Sequence, residues 1–207
     1  MNKEKLEIKI NNTLEWAYEK ALDPGVPLLD SAEDLAQKHI KEGGTLESRV
    51  NSFIRWQNAK TAANGFVGGV SGLLLLPVVI PANTACILFI QIRMIAAIAI
   101  MAEHDVKDEK VKTLIFACLC GNAIKDLFID FGIQVGVKFT QQMIKKTPLA
   151  VFKEVNKAVG FRLVTKFGEK GGIGLVRAVP IAGGIVGGVT DAMVTNVIGK
   201  VAKEVFI

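Results

Sequence analysis

Leu6, Ile10, Leu14 and Tyr18 recur every fourth residue, with Trp16 and Ala17 beside them. That spacing lines one face of a helix and predicts one over residues 4–22. Asp23-Pro24-Gly25 ends it, because proline cannot continue a helix and glycine accommodates the turn. Ser31 ahead of Glu33-Asp34 is a capping pattern; it opens a short second helix over 31–41, which stops at Gly43-Gly44. A third helix begins at Thr45-Leu46-Glu47-Ser48, carries Val50, Phe53, Ile54 and Ala59, and runs to about Ala63.

From there the pattern changes, since no side chain between Lys60 and Arg93 is charged and such a run cannot be amphipathic. A bilayer's hydrocarbon is about 30 Å thick, so a helical span needs roughly 20 apolar residues. Residues 65–76 are too few before Pro77, and residues 82–102 hold Gln91 and Arg93 at their middle. The prediction is therefore an apolar hairpin of two helices joined at Pro77 to Pro81, not two ordinary spans. Turns of soluble hairpins are polar because their backbone needs water, yet this joint is Pro77-Val78-Val79-Ile80-Pro81 after four leucines. Its tip calls for burial, either inside protein or in the outer part of a bilayer. We read lipid as the host, which makes Leu73, Leu74, Leu75, Leu76, Pro77, Val78, Val79 and Ile80 the expected insertion residues.

After a charged break at Glu103 to Lys112, residues 113–146 predict one or two apolar-rich helices. Residues 148–168 are basic and amphipathic: Phe152, Val155, Val159, Leu163 and Phe167 form one stripe, with Lys153, Lys157, Arg162 and Lys166 toward the other side. Gly171-Gly172 ends that helix, and residues 173–206 are again weakly charged, with Pro180 inside. No stretch alternates well enough to propose a strand. The fold class expected is all-α, a single-domain helical bundle with a central apolar helical hairpin and a Gly-rich apolar C-terminal helix pair. Its parts are amphipathic N-terminal helices (1–63), the hairpin (64–102), connecting helices (103–147), the basic helix (148–170) and the Gly-rich segment (171–207).

Composition places this bundle near membranes. Half of the 207 residues are hydrophobic, at the apolar edge of ordinary soluble domains. The excess of basic residues belongs to the last third, where residues 138–207 carry 11 Lys or Arg against 4 Asp or Glu. Interleaved with a long apolar stripe and away from both Trp residues, this charge suits anionic lipid better than nucleic acid. Lys153, Lys157, Arg162, Lys166 and Lys170 are the expected headgroup contacts. The charged start MNKEKLEIKINNTLEW lacks the apolar core of a secretory signal, so a cytoplasmic protein, peripheral or monotopic at the inner membrane, is expected.

Enzyme motifs are sparse. Neither Gly-rich cluster is followed by the Gly-Lys-Ser/Thr element of a phosphate loop. His39 and His104 lie in separate segments, and Cys118 and Cys120 project from different sides of a helix, so no metal or other cofactor is expected. With Cys86, the cysteines are an odd three inside apolar runs and read as reduced. His104-Asp105 has the makings of a base and its orienting acid, but Glu103-His104-Asp105 reads first as a solvated helix end, and no enzymatic role is expected. Glycines spaced by four, among them Gly68/Gly72, Gly183/Gly187 and Gly184/Gly188, suit close helix packing in a soluble core or a membrane alike. Arg93, set in an apolar run, calls for a buried acidic partner, with Asp191 and Asp126 the candidates.

One resemblance runs through nearly the whole chain. Leu14-Glu15-Trp16-Ala17-Tyr18-Glu19-Lys20-Ala21-Leu22, Ile54-Arg55-Trp56-Gln57, Leu76-Pro77-Val78-Val79-Ile80-Pro81-Ala82, Ile90-Gln91-Ile92-Arg93-Met94-Ile95-Ala96-Ala97-Ile98-Ala99, and Ala178-Val179-Pro180 through Gly188 resemble the EcsC family of bacterial proteins. Residues 100–105 depart from the His-then-Gly-Tyr-Asp run of that family. The resemblance implies a helical, membrane-proximal protein, with no catalytic residues to carry over; the function we expect of it is to scaffold or regulate a membrane system such as an ABC-type transporter. It leaves room for a membrane-protein partner and for a homo-oligomer. The alternatives are a soluble helical interaction module whose hairpin is wholly buried, and a membrane-permeabilising effector.

Overall fold

The computed structural model describes residues 3–25, 29–62, 82–132, 139–167 and 185–207, with the side chains at some helix ends left out. Among these residues the protein is all-α, with nine helices, one 3-10 turn and no strand. Helix α1 (Lys3–Leu22) is followed by α2 (Ala32–Ile40) and α3 (Leu46–Ala62). Then come α4 (Ala82–Met101), α5 (Glu109–Cys118), the 3-10 turn Gly121–Ala123 and α6 (Ile124–Asp130). Helices α7 (Gln141–Lys146), α8 (Leu149–Phe167) and α9 (Ile185–Phe206) complete it.

Local chemistry sets these boundaries. At α2 the Ser31 hydroxyl accepts from the Asp34 amide while the Asp34 carboxylate accepts from Ser31, so both free ends of the first turn are satisfied. Those hydrogen bonds from Ser31 hold the Asp34 carboxyl below its usual range. Asp108 caps α5, accepting from the Lys110 amide at 2.7 Å. The described residues of the region expected to form one or two helices instead hold three helices and a turn. Left-handed backbone at Gly121 (φ 60°) and Gly132 (φ 69°) breaks what periodicity alone would have run together.

Helix α4 is the axis of the packing. From Leu88 to Ala99 every residue is buried, and α1, α2, α3, α5 and α9 all pack on it. This explains its composition, because a helix enclosed around its whole circumference has no face to make polar. Buried residues from each of the nine described helices join one cluster, with Leu35, Phe53, Phe89, Met94, Ile115 and Phe152 among the large side chains sealed inside. The residues expected as the hairpin's second arm form α4, which packs against the C-terminal helix α9 as well. Its first arm and the joint lie outside the described residues. Among the described residues no helix is long and apolar enough to cross a membrane.

Polar ties fix the outer helices. The Tyr18 hydroxyl donates to the Val106 carbonyl, holding the α4–α5 connection against α1. Burial first, and then Glu109 and the other nearby carboxylates, push that phenol well above its usual range. Between α3 and α9, Lys203 Nζ reaches Glu47 at 2.6 Å and Asn51 at 3.1 Å, and Asn58 donates to Asn196 at 3.0 Å.

Candidate functional site

Helix α8 divides its circumference sharply. Phe152, Val155, Val159 and Leu163 are buried against α1 and α5. The apolar stripe of the basic helix is therefore core: the domain fills its own interior with that face. The opposite arc is exposed and carries Leu149, Lys153, Lys157 and Phe161 at successive intervals of four. Leu149 is 46 % exposed and Phe161 48 %. Lys145 and Lys146 at the end of α7, and Pro148, extend the same exposed stretch, and Glu154 is the acid that shares the arc.

This surface is held from beneath. Thr140 caps α7 by accepting from the Met143 amide, and the Lys110 ammonium donates to the carbonyls of Ile144 (2.9 Å), Lys145 (3.2 Å) and Thr147 (2.7 Å). A cation on the last carbonyls of a helix satisfies acceptors that have no partner within it. Lys145 and Lys146 therefore project from a fixed turn, and Pro148 immediately precedes the first residue of α8.

Of the five expected headgroup contacts, Lys153 and Lys157 are exposed on this arc. Arg162 is not of their kind. Its guanidinium donates to the Ala123 carbonyl at 2.9 Å and lies 3.5 Å from the Asp130 carboxylate, tying α8 to α6. The side chains of Lys166 and Lys170 lie outside the described residues, as do the expected insertion residues Leu73 to Ile80. Sequence reasoning missed Lys145, Lys146, Leu149 and Phe161. The signal for the last two was available: at 149, 153, 157 and 161 they share one four-residue row with the lysines.

Arg93 is only 2 % exposed, and burial pushes its guanidinium down to about 10 against the opposing charge of Asp30. One guanidinium nitrogen donates to the Asp30 backbone carbonyl at 2.9 Å, and the group lies over the Phe89 ring. Asp126, one candidate partner, is exposed on α6, and the side chain of Asp191 lies outside the described residues. Asp30, in the loop before α2, was not among the residues that sequence reasoning considered. Of the glycines proposed for helix packing, Gly68, Gly72, Gly183 and Gly184 lie outside the described residues, and Gly187 and Gly188 fall in the first turn of α9, where no contact is described.

The Glu103-His104-Asp105 turn departs from a solvated helix end in one respect. Glu103 and Asp105 are exposed, but His104 is buried with its ring centroid 5.1 Å from that of Phe206. Burial lowers its pKa, opposed by a hydrogen bond to the Phe206 carbonyl, so the imidazole is a neutral packing group. Beside it is a shallow cavity of about 280 Å³ lined by Glu103, His104, Asp105, Asp108, Val111, Gln141, Ile144 and Lys145. None of these supplies a hydroxyl or thiol for nucleophilic chemistry. His39 is likewise buried, 4.8 Å from Phe53, and no group of metal-ligating side chains occurs among the described residues. Burial pushes the Cys118 thiol up, away from reactivity. No family model, curated protein or solved structure matches the chain.

Proposed function

We propose that this protein works at an anionic membrane surface as a peripheral, non-enzymatic helical protein on the cytoplasmic side. There it would scaffold or regulate a membrane system such as an ABC-type transporter, in keeping with the resemblance to the EcsC family. The observation that carries the reading is the exposed face of α7 and α8, where Lys145, Lys146, Lys153 and Lys157 stand beside half-exposed Leu149 and Phe161. A lysine near an anionic leaflet contributes about 1 kcal/mol, so four give about 4 kcal/mol before the repulsion of Glu154 is taken off. That suits reversible attachment.

A second reading, a helical interaction module without lipid contact, draws on the enclosure of α4, whose residues from Leu88 to Ala99 are all buried. Flotation of the purified full-length chain separates the two. With vesicles of phosphatidylglycerol and phosphatidylcholine the protein is expected in the floating fraction, and with phosphatidylcholine alone in the soluble one. The Lys153→Glu, Lys157→Glu double variant is expected to float much less. Recovery in the soluble fraction with both vesicle types would leave the interaction module standing.

A further inference from the structure

We infer that Leu149 and Phe161 enter the lipid interface when this face docks, so that membrane attachment has an apolar part beside the ionic one. The inference rests on the membrane reading above and specifies how the same surface is used. Helix α8 seals Phe152, Val155, Val159 and Leu163 completely, yet leaves Leu149 and Phe161 about half in water. The exposure thus does not come from a helix too weakly packed to bury its apolar residues.

At about 100° per residue the two lie about 120° apart around α8, one on each flank of the lysines. They are twelve positions apart, about 18 Å along the helix at 1.5 Å per residue, and they bracket Lys153 and Lys157 on the same exposed arc. A helix lying flat on a bilayer meets it along such an arc. Long lysine stems then let the ammonium groups stay at the phosphate level while a leucine and a phenylalanine reach past them toward the acyl boundary. The lysines name the occupant by charge complementarity: a surface rich in anionic lipid, which offers phosphates and hydrocarbon in that order of depth.

The test uses salt to separate the two parts, because the screening length falls from about 10 Å at 0.1 M to about 3 Å at 1 M. Flotation with phosphatidylglycerol–phosphatidylcholine vesicles is measured at both concentrations for the wild type, Leu149→Ser/Phe161→Ser and Asn156→Ser. Asn156 is exposed on α8 and serves as the control for helix and fold. The wild type and Asn156→Ser are expected to keep measurable binding at high salt. The double serine variant, with an unchanged thermal melt, is expected to lose it and to partition on the order of tenfold more weakly at low salt. If the wild type binds at low salt and the double variant partitions as it does at both concentrations, the apolar insertion is wrong and the ionic contact stands. Binding of the wild type that vanishes at high salt points the same way, and is what a nucleic acid partner would give. A wild type that never floats overturns both the insertion and the membrane reading.

Discussion

Glu103 sits in left-handed backbone at φ 62°, a conformation that costs an L-residue about 1–2 kcal/mol. It does so to close α4: the Glu103 amide donates to Ile100 and the His104 amide to Ala99, the paired bonds of a helix end normally built on glycine. The side chain points to solvent and the backbone carbonyl accepts from Gln141, a bond that glycine would keep. Glu103→Gly is therefore expected to stabilise the protein by about 1 kcal/mol, less the extra freedom glycine gives the unfolded chain. Urea melts of the two proteins check it, and equal or lower stability in the variant would show that the turn stores no strain. Sequence showed this residue only as part of a charged break, because the sign of φ is a property of the closing hydrogen bonds and not of composition. Arg93 shows the same limit: its apolar surroundings called for an acidic partner, but the backbone carbonyl it reaches belongs to Asp30, 63 residues away, and nothing local points to it.

At the scale of elements, the contact between α3 and α9 turns on a glycine that no motif singled out. A Cβ on Gly199 would stand 3.0 Å from both Cγ1 and Cγ2 of Ile54, so the helices meet there backbone against side chain. Gly199→Leu is expected to destabilise the protein by about 1–3 kcal/mol through overpacking. Ile54→Ala opens space at the same point, so the double variant is expected to fall short of the summed single losses by about 1 kcal/mol or more in chemical denaturation. Strict additivity would mean that the two helices adjust elsewhere. The four-residue glycine spacing drew attention to other positions, whereas the usable signal was weaker: an isolated glycine inside a helical pattern, costly unless packing requires it. The helices themselves were legible, since α1, α2, α3 and α8 follow apolar periodicity and cap residues read directly from the chain. What periodicity cannot give is the medium a face meets. The apolar stripe of α8 and the lysine row opposite it were both visible, yet only packing against α1 and α5 shows that the stripe is spent on protein and the lysine row is what remains outside.

For the molecule as a whole, the position of α4 bears on the proposed membrane role. Five helices cover it, so carrying it into lipid would require exchanging those contacts for acyl chains that are no more apolar, while Arg93 lost its bond to Asp30. Lipid offers such a helix no net gain in burial and a desolvated charge besides. Docking through the outer face of α8 leaves the core closed and asks for no such exchange. Hydrogen exchange therefore discriminates. The amides from Leu88 to Ala99 are expected to exchange only through global unfolding, and to keep that protection when phosphatidylglycerol vesicles are added. Protection is expected to rise instead at the exposed start of α8, around Leu149 and Ala150, where lipid would exclude water from the first-turn amides that have no partner within the helix. Faster exchange along α4 on vesicles would mean that the bundle opens at the membrane, and the docking face on α8 would then be a first contact rather than the bound state.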